Sequence, residues 1–281
     1  MQIVLDCEQR KIALYCSLEY NKKNKQNGYD FLQYNIRIIE MEGLILALRV
    51  TVWNEYKHER EFDDIRRVYP KGIHRCIAEF LEKEKDLQVR MVTFDMPEHG
   101  LTEAILQNTD VLIIWSHALQ EEFSEEVAER VHRHVLSGMG LVALHSAHFS
   151  KIMKKLLGTS MTLKWRHGDT EKLWCIAPTH PIAAGVPAMI EIPQEEMYGE
   201  YFDIPKPDDV IFTGWFGGGE VFRSGCTFTR GYGKIFYFQP GHEEYPVYYI
   251  PEIQKIIVNG IRFCAPVLES RSYPECEEVK R

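Results

Sequence analysis

Four short apolar runs, Leu48–Trp53, Val89–Phe94, Val111–Trp115 and Leu141–Leu144, recur between stretches of helical spacing, and this alternation constrains the fold most. A strand that is apolar at nearly every position must be buried on both faces, which a parallel sheet flanked by helices provides. The helical stretches are Tyr69–Lys85, with Ile73, Cys76, Ile77, Phe80 and Leu81 on one side, then Leu101–Gln107, the charged amphipathic Gln120–Leu136, and Ala147–Leu157. Gly138 and Gly140 end the third of these. After Gly158 the texture changes to short strands, Leu173–Ala177, Val210–Trp215, Cys226–Arg230 and Lys234–Gln239, parted by Pro- and Gly-rich turns and closed by a helix over Pro251–Cys264. The expectation is an α/β three-layer sandwich with a mostly parallel central sheet, flavodoxin-like, carrying a small mixed β extension.

The ends of the chain read differently. Asn21–Gly28 is a polar run without periodicity, and the codons for Met41-Glu42-Gly43 would contain a purine-rich ribosome-binding sequence just ahead of Leu46. Residues 1–45 are therefore expected to be an N-terminal extension, either a start-site artefact or a genuine hairpin. Residues 46–266 form the single α/β domain and 267–281 a tail.

A net charge of −8 argues against a broad phosphate-binding surface, so nucleic acid is not an expected partner. Seven scattered cysteines without C-x-x-C spacing suggest neither a disulfide framework nor a cysteine zinc site, and a reducing cytoplasm fits them. No apolar stretch approaches the roughly 18 residues that span a bilayer. Gly217-Gly218-Gly219 is not followed by Lys-Ser/Thr and opens no helix, so no nucleotide cofactor is expected.

In parallel sheets ligands sit beyond the carboxyl ends of the strands, and three strand ends here carry histidine. The first run ends in Asn54-Glu55 with His58 behind it, the third in Trp115-Ser116-His117, the fourth in His145-Ser146-Ala147-His148. His145 falls at the strand-to-helix turn where related scaffolds place a nucleophile, although G-x-S-x-G glycines are missing. It is either an acid/base group or a buried histidine satisfied by backbone. His242 follows another apolar strand, and Glu244 two residues later could orient its ring. His167, in Trp165-Arg166-His167-Gly168-Asp169, has neighbours suited to a sugar. Glu195 and Glu196 beside Met197-Tyr198 are either proton-transfer carboxylates or a solvated acidic loop. His58, His117, His145 and His242, gathered at one rim, could alternatively hold zinc.

Several stretches together resemble the trehalose-utilisation ThuA-like family: Thr51-Val52-Trp53-Asn54-Glu55 with His58, Asp110-Val111-Leu112, Gly140–Ser146, Leu156-Leu157-Gly158 leading to His167, His180-Pro181-Ile182, Glu195–Tyr198 and Gly241-His242. The resemblance implies a fold like class I glutamine amidotransferases, with the elbow cysteine replaced around His145, so that glutamine hydrolysis through a thioester is unavailable. It further implies a cytoplasmic homo-oligomer acting on a 3-keto sugar supplied by a partner sugar dehydrogenase. His145, His242 and Glu244 would be catalytic, and Asn54, Trp115, His117, His148, His167, Glu196 and Tyr198 would bind the sugar, with Trp53, Trp165 and Trp215 adding stacking surface. A non-catalytic sugar-binding module is the alternative.

Overall fold

A computed structural model describes residues 47–267, 272–276 and 278, so the expectation for residues 1–45 lies outside the described residues. The chain runs β1 (Leu48–Asn54), α1 (His58–Glu61), α2 (Asp63–Val68), α3 (Ile73–Leu81), β2 (Leu87–Thr93), α4 (Glu103–Gln107), β3 (Val111–Trp115), α5 (Glu125–Leu136), β4 (Gly140–Leu144) and α6 (Lys151–Leu157). It continues as β5 (Lys164–Cys175), β6 (Met189–Gly199), β7 (Asp209–Phe216), β8 (Val221–Arg230), β9 (Gly233–Phe238) and α7 (Pro251–Cys264).

The nine strands among the described residues join one sheet in the order β2-β1-β3-β4-β9-β8-β7-β5-β6. The pairings from β2 to β9 are parallel; those from β9 to β6 are antiparallel. The expected small extension is thus half the sheet, and "mostly parallel" holds only for the first half. The physical reason lies in the connections: parallel neighbours need a crossover, whereas beyond β5 no link holds an α-helix and the strands pair antiparallel.

Every residue of β3 and β4 is buried. Alternate side chains feed two cores: Val111, Ile113 and Trp115 on one side, Leu112 and Ile114 on the other. Ile73, Ile77 and Phe80 of α3 and Ile253, Ile257 and Ile261 of α7 fill the first. Val127, Val131 and Val135 of α5 and Ile152 and Leu156 of α6 fill the second. Each fully buried Leu or Ile contributes roughly 1.5–3 kcal/mol, so these two stripes fix which face each helix takes.

Caps set the helix limits. Ser124 accepts the Val127 N–H, so α5 starts at Glu125 rather than at Gln120. Ser150 accepts the Met153 N–H, splitting the expected Ala147–Leu157 helix into a 3-10 turn over His145–Phe149 and α6. No helix among the described residues is long and apolar enough to cross a membrane.

Candidate functional site

The carboxyl ends of β1, β3, β4 and β9 open on the same side, and the last residues of β6 reach across to them. His145 is the first residue after β4 and takes φ +51°, a left-handed backbone uncommon for a residue with a Cβ. Such a conformation costs about 1–3 kcal/mol and persists only where the surroundings enforce it. Alanines, Ala143 and Ala147, stand two residues to either side, both fully buried. They are the small residues that a tight strand–turn–helix elbow needs where glycine is absent.

His145 is wholly buried and both ring nitrogens are engaged. Nδ1 donates to the Gln239 carbonyl at 2.9 Å, and Nε2 lies 3.1 Å from Glu196 Oε2 and 3.3 Å from the Tyr198 hydroxyl. With Nδ1 donating, a hydrogen bond from Nε2 to a carboxylate requires the doubly protonated ring. Burial by itself would lower the His145 pKa, but the Glu196 charge raises it above the usual value. Burial pushes Glu196 up, and the hydrogen bond and charge of His145 outweigh this and bring it down to about 2. The two form a buried ion pair, with the Tyr198 ring stacked on the imidazole at 5.0 Å.

Glu243 makes a second knot. Its Oε1 accepts from His58 Nδ1 at 2.7 Å and His117 Nδ1 at 2.6 Å. Burial opposes a charged His117, but Glu243 raises its pKa to about 9. Burial would raise Glu243, and the two histidines hold it well below the ordinary carboxylate range. The His117 loop is pinned by Glu55, whose buried carboxylate accepts the N–H groups of His117, Ala118 and Leu119 at 2.8, 2.7 and 3.0 Å. Glu195 does the same for the loop after β9, accepting the N–H groups of Gly241 at 2.6 Å and His242 at 3.1 Å. Burial raises its pKa to about 7.

Beside these pairs lies a cavity of about 520 Å³, lined by His117, His148, Trp165, His167, Glu196 and Tyr198 among others. Five expected sugar contacts, His117, His148, His167, Glu196 and Tyr198, therefore share one wall. Asn54 and Trp115 do not line it: the Asn54 amide donates to Glu59 at 2.7 Å, and buried Trp115 donates Nε1–H to the Gly241 carbonyl at 3.0 Å. Trp53 is likewise core, while exposed Trp215 lies away from the cavity.

The expected His242–Glu244 side-chain pairing is not formed. The Glu244 carboxylate stands 4.0 Å from His242 Nδ1, and the Glu244 main-chain N–H donates to that nitrogen instead, at 3.2 Å. Nor do His58, His117, His145 and His242 converge as one ligand set, because both His145 nitrogens are occupied. The donor atoms that do lie within 4.8 Å of one another belong to His58, His117 and Glu243, to His117, Glu196 and His242, and to His167, His242 and Glu244. His167 stands on β5, and Glu195 and Glu196 belong to β6 rather than to a solvated acidic loop. Sequence reasoning missed Glu55 and Glu243 as site residues, although each adjoins a residue it singled out.

The fold is similar to several solved structures. A ThuA-like protein from Parabacteroides merdae superposes with a TM-score of 0.59 at 15% identity, covering 81% of this chain and 98% of that one. Another from Bacteroides uniformis gives 0.56 at 13% identity, covering 77% and 91%. A cytoplasmic protein from Salmonella typhimurium gives 0.50 at 15% identity, covering 78% and 100%. At such identities the likeness speaks for the fold alone. Among curated proteins none matches the chain. The ThuA family model, described as trehalose utilisation, matches residues 49–264, from the start of the first strand to the end of the last helix, and the chain belongs to that family.

Proposed function

We propose that the protein is an enzyme of disaccharide use that cleaves a 3-keto glycoside by acid–base chemistry. Glu196, on the cavity wall and ion-paired with the wholly buried His145 behind it, carries this reading. A ketone at carbon 3 makes the carbon-2 hydrogen acidic. Glu196 takes that proton, the glycosidic carbon–oxygen bond breaks, and its electron pair leaves on the oxygen, which receives the proton of His145. When His145 gives up its proton the carboxylate loses its stabilising partner, so Glu196 becomes a stronger base as the leaving group departs. Return of the proton across the 3.1 Å pair restores the starting state. The products are the free alcohol and an unsaturated ketone, which adds water to give the keto sugar. Trp165 and Tyr198 supply the aromatic surface for the ring.

We read the parallel half, with helices on both faces, as the three-layer sandwich of class I glutamine amidotransferases, with His145 at the elbow in place of the cysteine nucleophile. A divalent cation such as zinc would be held by His58, His117 and Glu243 once the ring protons that Glu243 accepts are displaced, and would polarise a substrate oxygen as a Lewis acid. The same reading includes a sugar dehydrogenase as supplier of the ketone, a cytoplasmic location and assembly as a homo-oligomer. Incubation of the purified protein with 3-keto-trehalose, with and without zinc, should release glucose, and His145→Ala should abolish the release. Tight binding of the keto sugar without turnover would assign a sugar-binding module instead.

A further inference from the structure

The cavity has two unlike ends. Leu163, just ahead of β5, lines it together with Trp165 and His167, while Lys164 and Arg166 between them do not, which is the alternation of an extended chain. On β6, Tyr198 pairs with Trp165, and the Glu196 carboxylate stands 3.8 Å from His167 Nδ1. Same-face neighbours on a strand are about 7 Å apart, so the row from His167 to Leu163 is about 13 Å long, enough for two pyranose rings in line. Ionisable groups gather at the His167 end, where donor atoms of His117 and Glu196 lie within 4.8 Å of one another. At the other end the wall is Thr162 and Leu163.

That second end is built before any ligand arrives. Asp203 Oδ2 accepts the Ser160 N–H at 3.1 Å and the Ser160 hydroxyl at 2.5 Å. The Asp203 N–H donates to the Thr162 carbonyl at 3.0 Å, and the Met161 N–H donates to the Asp203 carbonyl at 3.2 Å. Met161 itself is fully buried at φ +59°. A wall fixed in this way loses little freedom when a ligand binds to it. Among the described residues that line the cavity none is lysine or arginine, and Arg166 is bound instead to Glu220 at 2.7 Å. A leaving group bearing a phosphate or carboxylate would find no cation to fork onto at this end.

We infer that Thr162 and Leu163 form the leaving-ring subsite: the substrate lies along β5 with its keto ring between Glu196 and Trp165 and its leaving ring between Trp165 and Leu163. This rests on the keto-sugar reading above. The substrate class is accordingly a 3-keto glycoside whose leaving group is an uncharged ring, and Asp203 is a positioning residue that acts through Thr162.

The test measures Kd and turnover of the full chain with 3-keto-trehalose and with methyl 3-keto-glucoside, which lacks the second ring. The wild type should bind the disaccharide about tenfold more tightly, as contact with one Leu side chain implies, and Leu163→Ala should remove most of that difference. The loss should fall on Kd and KM rather than kcat, because the contact is remote from the reacting atoms. Asp203→Ala should act in the same direction, and Asp203→Asn, which keeps an acceptor for Ser160, should recover part of the loss. Equal wild-type affinity for the two ligands, or a Leu163→Ala variant that keeps the full difference, would overturn the inference. If the wild type binds both sugars and cleaves neither, the enzymatic reading fails while the two Kd values still decide the subsite; if it binds neither, both fall.

Discussion

Replacing Glu243 by Gln keeps the shape of the side chain and removes the charge that holds His58 and His117. Folded His117 keeps its proton up to about 9, against 6.5 for an ordinary histidine. Between those values the folded state binds more protons than the unfolded one, so the contribution is fully present below about pH 6.5 and is lost as pH rises through 9. A shift of this size corresponds to about 3 kcal/mol, and partial solvent screening trims it to about 2 kcal/mol. The assay is urea unfolding of wild type and Glu243→Gln from about pH 7 to about pH 9.5, the midpoints being converted with a common slope. His145 also loses stabilisation as pH rises, because Glu196 raises its pKa, but that pair is present in both proteins and cancels in the difference. Wild type should lose about 2 kcal/mol more than the variant across the window. Parallel curves would refute the view that Glu243 sets the charge of His117.

His145→Ala should abolish keto-sugar cleavage and lower stability by about 3–5 kcal/mol, since it strands a buried carboxylate; adding Glu196→Gln should restore part of the stability and none of the turnover, as thermal melts and glucose release would reveal. Glu244→Gln should change kcat less than about twofold, because the main chain and not the carboxylate holds His242; a tenfold loss would revive the side-chain pairing. Gly241→Ala should lower both stability and activity, since its Cβ would strike Tyr248; an unchanged melting temperature would contradict the fixed position of the loop. Cys175→Ala and Cys226→Ala should both retain turnover, Cys226 being an inert core thiol pushed up to about 12 by burial, and loss of turnover would point to a thiol mechanism.

The parallel half was legible because burial on both faces leaves no alternative to continuous apolar strands: the run Val111–Trp115 and the helix Pro251–Cys264 coincide with β3 and α7. The antiparallel half was less so. β6 contains Pro193 and several carboxylates, composition that ordinarily marks a loop, and it pairs as a strand because Ile190 and Ile192 bury in one core and Met197 in the other. Among site residues, the histidines were visible through their places after strands. The roles of Glu55 and Glu243 were not, because their work consists of accepting N–H groups from segments remote in the chain, 62 residues away for Glu55 and His117 and 126 for His117 and Glu243. The A-x-H-x-A elbow was readable only once φ at His145 was known, since nothing else distinguishes those alanines from core packing.

β9 is parallel to β4 and antiparallel to β8, so it joins the two halves of the sheet. It is also the last strand to leave the ribosome. Until it inserts, β4 has one open edge, the Glu195 carboxylate has no loop to grip, and His145 lacks the Gln239 carbonyl. Folding must therefore await long-range contacts, the slowest kind to form, and the nascent chain spends that interval with an exposed apolar strand edge. A chain stopped before Gly233 would hold all of β1–β8 and still have no site, and its open edge would recruit other chains into aggregates.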